Sequence, residues 1–234
     1  MIHDRTRILI RAEGLCKRCR TGNGAEEAVS GLDLIIRQGE LVVIKGISGT
    51  RKIALFNLLG CLERPDSGKY YFDYEDIALA EDETLEDIRR RRIGYLFRDF
   101  RLIDRLTVCQ NVEVPMSGMD ISREEKARRA AEALADLGIE KISGEKVSSL
   151  SDYDRQLAAL ARATVNGPLM IMADEPAAAL DAGEAARLME RLRRLNEEGT
   201  AILLFSSGDI PGLRDGLRVI TFEKGIACGN GGAI

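Results

Sequence analysis

The chain has 234 residues, a formal charge of −4 and 45% apolar residues, enough for one large domain or for a core with an inserted lobe. The acidic balance weighs against a nucleic-acid partner, and no run of about 18 apolar residues offers a membrane-spanning helix. Residues 1–5 lack the apolar stretch of a signal peptide, so a soluble cytosolic protein is expected.

In chain order, Cys16 and Cys19 form a lone C-x-x-C among five scattered cysteines. A zinc site would need two further ligands, and the one histidine is His3. Reduced thiols beside a strand are the alternative. Residues 32–36 read as an early antiparallel element, and Gly39 before Glu40 suits a hairpin turn. The apolar run 41–44 predicts a buried strand. It leads through residues 46–53 into an apolar helix over 54–62. Residues 69–72 read as another strand.

From 94 to 165 the pattern turns helical and more charged. There Ser122 followed by Glu125 predicts a capping box, and Gly138 a stop. Residues 169–173 form an apolar strand ending in Asp174-Glu175. Asp181 and Glu184 predict the start of a helix whose apolar face carries Leu188, Leu192 and Leu195 and which ends at Gly199. Strands follow over 201–205 and 219–222, and the Gly-rich residues 229–233 are expected to fray. Apolar runs alternating with amphipathic helices predict an α/β fold with a parallel sheet. The expected core is 1–93 with 166–234, and 94–165 is an inserted helical lobe.

The loop Gly46-Ile47-Ser48-Gly49-Thr50-Arg51-Lys52-Ile53 is nearly a phosphate-binding loop. The working motif is Gly, four residues, Gly-Lys, then Ser or Thr: backbone N–H groups cradle phosphate, the Lys reaches the outer phosphates, and the hydroxyl holds Mg²⁺. Gly46 and Lys52 stand in place. Arg51 replaces the second Gly and Ile53 the hydroxyl. Asp174 and Glu175 end a strand at the rim of the predicted sheet, where such folds bind ligands. The Asp would hold Mg²⁺ and the Glu would orient or deprotonate a water. A strand ending in a solvated acidic turn is the plainer alternative.

These segments occur together with Asn57-Leu58-Leu59-Gly60, Pro65-Asp66-Ser67-Gly68, Ile93-Gly94-Tyr95-Leu96-Phe97, Leu150-Ser151, Ala161-Arg162-Ala163, Ala173-Asp174-Glu175-Pro176 and Leu180-Asp181. In that order they make the chain resemble the ATP-binding-cassette (ABC) transporter ATPases along nearly its full length. It is most similar to the lipoprotein-release and macrolide-exporter branch. The resemblance implies a RecA-like P-loop core with an N-terminal antiparallel β element. It implies ATP and Mg²⁺ as ligands, with Gly46, Ser48, Gly49, Arg51, Lys52, Ile53 and Asp181 in nucleotide-binding positions. It also implies a membrane permease docked on the helical lobe and a second cassette subunit. A pair of such subunits would sandwich ATP head to tail, each phosphate loop facing the other's signature helix, peripheral to the inner face of the cell membrane.

The chain departs from that pattern at most of its nucleotide contacts. The stacking aromatic falls near Cys19. The Gln that links Mg²⁺ to the lobe corresponds to Arg98. The Leu-Ser-Gly-Gly signature reads Leu150-Ser151-Asp152-Tyr153-Asp154, and Ser207 replaces the His that contacts the outermost phosphate. Lys52, Ser151, Asp174, Glu175 and Asp181 survive. A carboxylate at Asp152 about 4 Å from a phosphate charge would cost about 4 kcal/mol at an effective dielectric of 20. A helix terminus contributes only about 1 kcal/mol. Arg51 either distorts the loop with its Cβ or binds phosphate through its guanidinium.

Three functions are therefore open: a pseudo-ATPase subunit kept for permease docking and dimer architecture, a weakly active ATPase using Glu175 and Lys52, or a regulatory scaffold outside transport. In a head-to-tail homodimer, Arg51 and Arg98 would face Asp152 and Asp154 of the partner, so ion pairs could replace ATP as glue. The alternative is that these are solvated surface charges.

Overall fold

The computed structural model describes residues 6–21, 24–47, 49–213, 216–223 and 226–228. His3, Ser48 and residues 229–233, all named above, lie outside the described residues.

Two sheets form the core. The first is four-stranded, in the order β2-β1-β4-β5, with β1 at Ile8–Thr21, β2 at Gly24–Arg37, β4 at Ser67–Phe72 and β5 at Glu75–Asp76. The second is six-stranded, in the order β10-β9-β3-β8-β7-β6. Its strands are β3 Leu41–Lys45, β6 Ile93–Leu96, β7 Met170–Asp174, β8 Ala201–Phe205, β9 Arg218–Glu223 and β10 Ile226–Cys228. β3, β8, β7 and β6 run parallel, with Leu41 opposite Ile202 and Asp174 opposite Phe205. Val42, Val43, Ile44 and all of β8 are buried, as strands covered on both faces require.

The helices are α1 Gly49–Leu59, α2 Asp82–Asp87, α3 Val108–Glu113, α4 Arg123–Asp136, α5 Asp152–Thr164 and α6 Ala182–Glu197. A π-helical segment, Ile88–Arg92, joins α2 to β6. α1 buries Leu55, Phe56, Leu58 and Leu59 against the β3 side of the core, each worth about 1.5–3 kcal/mol of transfer. α6 is capped as expected: the Asp181 side chain accepts from Glu184 N and the Glu184 side chain from Asp181 N, and Gly199 follows its end with φ 99°.

Several expectations need correction. α1 begins at Gly49 rather than at 54 and ends at Leu59 rather than at 62, because the phosphate-type loop feeds directly into its first turn. The Gly39 turn is present, but it joins strands of different sheets and makes no hairpin. Ser122 accepts from Glu125 N at 3.1 Å, whereas the Glu125 side chain turns to Arg128 and Arg129 instead of closing the box. The boundary expected at 93–94 cuts through β6, whose residues 94–96 pair with β7 in the core sheet.

Candidate functional site

The parallel strands end at one edge, which brings together Lys52, Asp174, Glu175 and the backbone of Ser207. β3 leaves the sheet through Gly46, whose φ of 78° and the carbonyl oxygen of Phe222 leave no room for a Cβ. The chain then enters α1 with Gly49 as its first residue. Lys52, in the first turn, reaches over to the end of β7. Its Nζ lies 2.7 Å from Asp174 Oδ1 and 3.4 Å from Glu175 Oε1. Glu175 Oε1 also accepts the Ser207 backbone N–H at 2.8 Å, just beyond β8. Glu175 sits at φ 46°, a conformation costing roughly 1–3 kcal/mol for a side-chain-bearing residue. Its carboxylate bonds and the bond from its own N–H to Phe205 O at 2.9 Å hold it there.

Beneath this cluster, Phe56 packs on Phe205 at 5.3 Å and on Phe97 at 5.6 Å, tying α1 to β8 and to the exit of β6. Nothing in the spacing of these aromatics announces that contact.

The replaced positions behave differently. Arg51 pairs with Glu26 Oε2 on β2 at 3.2 Å, a partner 25 residues away that no local pattern signals. Ile53 is 54% exposed, and its side chain carries no oxygen. Cys19 Sγ lies 3.9 Å from Thr50 Oγ1, and both border a pocket of about 270 Å³ with Ile53 and Ala54. Arg98 is exposed and makes no ion pair among the described residues. Cys16 accepts from Gly31 N at 3.3 Å, and among the described residues no group of His, Cys, Asp and Glu is arranged to hold a metal.

The signature residues stand apart. Ser151 caps α5: its Oγ accepts from Asp154 N at 3.1 Å and donates to Asp154 Oδ2 at 2.7 Å. Asp152 is exposed and pairs with Arg155 at 3.0 Å. The Tyr153 ring lies 4.9 Å from the Arg187 guanidinium on α6. Among the described residues no hydrogen bond or ion pair joins Ser151, Asp152, Asp154 or Asp181 to the Lys52 cluster. The repulsion assigned above to Asp152 shrinks accordingly. At an exposed site the dielectric approaches that of water, where the same pair costs about 1 kcal/mol, and Arg155 offsets part of that.

As a holder of Mg²⁺ and ATP, the donor set is incomplete. Asp174 offers an oxygen, but its partner in the pattern is an isoleucine. The N–H of Asp154, one of the free donors a helix start would offer phosphate, is taken by Ser151. These residues do not fit a nucleotide–Mg²⁺ complex of the usual kind.

Residues 29–178 match the family model described as ABC transporter. The chain is 39% identical over 196 residues to an uncharacterized ABC transporter ATP-binding protein, YknY of Bacillus subtilis, covering 84% of this chain and 85% of that one. It is 36% identical over 197 residues to the macrolide export ATP-binding/permease protein MacB of Vibrio parahaemolyticus, and there it spans only 30% of the relative's length. Among solved structures it resembles the dimeric post-hydrolysis state of the ATP-binding cassette MJ0796 bound to ADP and Pi, a protein of Methanocaldococcus jannaschii. The TM-score is 0.83 at 34% identity, over 94% of this chain and 96% of that one.

Proposed function

The chain belongs to the ABC transporter family, and we propose that it is a cassette subunit that docks on a membrane permease and keeps dimer architecture while binding and hydrolysing ATP weakly or not at all. The permease would be of the lipoprotein-release or macrolide-exporter type, and the subunit would lie at the cytoplasmic face of the membrane, beside a second cassette. The observation that carries this reading is the pair of replaced loop positions: Arg51 is tied to Glu26 at 3.2 Å, and the exposed Ile53 in the hydroxyl position offers no ligand to a metal. Docking is assigned to the helical lobe, as the resemblance implies.

A weakly active ATPase is the second reading, favoured by Glu175 and Lys52 lying within 3.4 Å of each other at the sheet edge. A regulatory scaffold is the third. Equilibrium binding of labelled ATP with and without Mg²⁺ separates the first two. The expected result is no saturable Mg²⁺-dependent binding and no turnover, with Arg51→Gly plus Ile53→Ser raising Mg²⁺-dependent affinity. Tight binding by the unaltered chain, with turnover lost in Glu175→Gln, would overturn the proposal. Crosslinking in intact cells to a polytopic membrane protein separates docking from the scaffold.

A further inference from the structure

A cavity of about 640 Å³ lies at the end of the sheet opposite the Lys52 cluster, beside Leu169 where β7 is about to begin. Small-molecule sites occupy roughly 300–1,000 Å³. α4 and α6 each line it with one face, together with the link from α5 to β7. Ala133, Leu137, Val165, Leu169 and Leu195 give it apolar surface. Arg129 and Arg194 line it too, but each is held by a glutamate of its own helix, Glu125 at 2.6 Å and Glu190 at 3.4 Å. Arg191 is half-buried in the lining and makes no hydrogen bond or ion pair among the described residues. A guanidinium partly withdrawn from water beside apolar walls calls for a counter-charge. Of the acidic groups in the lining, Glu132 is paired with Arg128, whereas the exposed carboxylates of Asp136 and Glu198 have no partner among the described residues. Arg191 and Glu198, the C-cap of α6, stand seven residues apart on one face, which separates them by about 10.5 Å along the helix axis.

We propose that this cavity binds an apolar peptide of about three residues with both termini free, its carboxylate on Arg191 and its ammonium beside Asp136 and Glu198. Three extended residues span about 10–11 Å, which matches the separation of the two charged ends. Arg meets carboxylate through paired, charge-assisted hydrogen bonds. The carboxyl-terminal end of α6 adds partial negative charge on the ammonium side. Apolar side chains of the peptide would cover the leucines of the lining. A multiply charged anion fits poorly, because Glu132, Asp136 and Glu198 balance Arg129, Arg191 and Arg194. A fatty carboxylate would leave Asp136 and Glu198 without a cation. None of the lining residues belongs to the phosphate loop or to the signature segment, so the site stands whether or not the chain binds nucleotide.

The test titrates the full ¹⁵N-labelled chain with the tripeptide Leu-Ala-Leu, its C-amidated and N-acetylated forms, triglycine and sodium decanoate. Leu-Ala-Leu should saturably shift the amide resonances of Val165, Gly167, Leu169 and Thr200. Amidation should weaken binding about tenfold, the scale of one charge-assisted pair. Acetylation should weaken it about threefold, because Asp136 and Glu198 are exposed. Arg191→Gln should weaken the free peptide about tenfold and leave the amidated one unchanged. Glu198→Gln, at an exposed position, should narrow the gap between free and acetylated peptide with no change in Tm, which covers the case in which Arg191→Gln perturbs the fold. No saturable shift, equal binding of either capped form, or binding of triglycine or decanoate as tight as that of Leu-Ala-Leu would overturn the proposal. So would an Arg191→Gln variant that folds and weakens free and amidated peptides equally.

Discussion

Lys52 is surrounded by charge that solvent scarcely reaches: its side chain is 13% exposed, Asp174's 20% and Glu175's 12%. Removing its ammonium would leave neighbouring carboxylates facing each other. Breaking a fully buried pair from one side costs about 3–5 kcal/mol. Partial solvation lowers this to about 1–3 kcal/mol for Lys52→Ala. Tm should fall by roughly 2–4 °C for each kcal/mol in a chain of this length. Urea unfolding without nucleotide checks this, and adding Glu175→Gln to Lys52→Ala should recover part of the loss. An unchanged midpoint in Lys52→Ala would mean that the network contributes nothing and that the lysine's position reflects nucleotide chemistry alone. At this scale the motif residues were legible. Lys52, Asp174 and Glu175, each singled out by its motif, lie together at the sheet edge, whereas Ser207 enters through its backbone N–H, which no side-chain pattern predicts.

Helices α4 and α6 each centre an ion-pair network on one glutamate, with Glu132 and Glu197 as further partners of Arg128 and Arg193. Glu125 holds Arg128 and Arg129 at 2.8 and 2.6 Å, and Glu190 holds Arg193 and Arg194 at 2.6 and 3.4 Å. These guanidiniums pull both carboxyls down to about 2. An unfolded glutamate titrates near 4.3. A depressed folded value means the contribution is complete above about pH 4.3 and is lost as pH falls towards 2. Thermal unfolding of the unaltered chain should therefore lose part of its stability between about pH 4.5 and 2, and the double variant Glu125→Gln/Glu190→Gln should show a flatter profile. A variant profile as steep as the parent's would assign acid sensitivity elsewhere. The same glutamate explains a misread element, because Glu125 cannot both close a cap and hold two arginines. Strands β3, β7 and β8 were legible as apolar runs because both of their faces are buried. β1 was not, since charged Arg11 and Lys17 interrupt its apolar positions and its register with β2 shifts between Ala12 and Leu15 and again around Lys17. The start of α1 was hidden because Gly49, Thr50 and Arg51 carry no apolar periodicity.

For the whole molecule, the question is whether charge replaces nucleotide between subunits. The head-to-tail arrangement implied by the resemblance would set Arg51 and Arg98 against a partner's Asp152 and Asp154. Within one protomer, Arg51 already holds Glu26, Asp152 holds Arg155, and Asp154 accepts from Ser151. Forming intersubunit pairs would break these first. Exposed pairs are worth about 0–1 kcal/mol each, so the exchange is close to neutral, far short of the roughly 8 kcal/mol that micromolar association demands. Only Arg98, without an ion pair of its own among the described residues, would gain outright. The isolated chain should therefore sediment as a monomer at micromolar concentration and about 0.15 M salt without nucleotide, and Asp152→Lys with Asp154→Lys should leave that unchanged. A second cassette would then be brought alongside by the permease that both subunits dock on. A nucleotide-free dimer that dissolves as salt rises and disappears in the charge-reversed variant would reverse this conclusion, because only intersubunit pairing of Arg51 and Arg98 with those carboxylates would produce both effects.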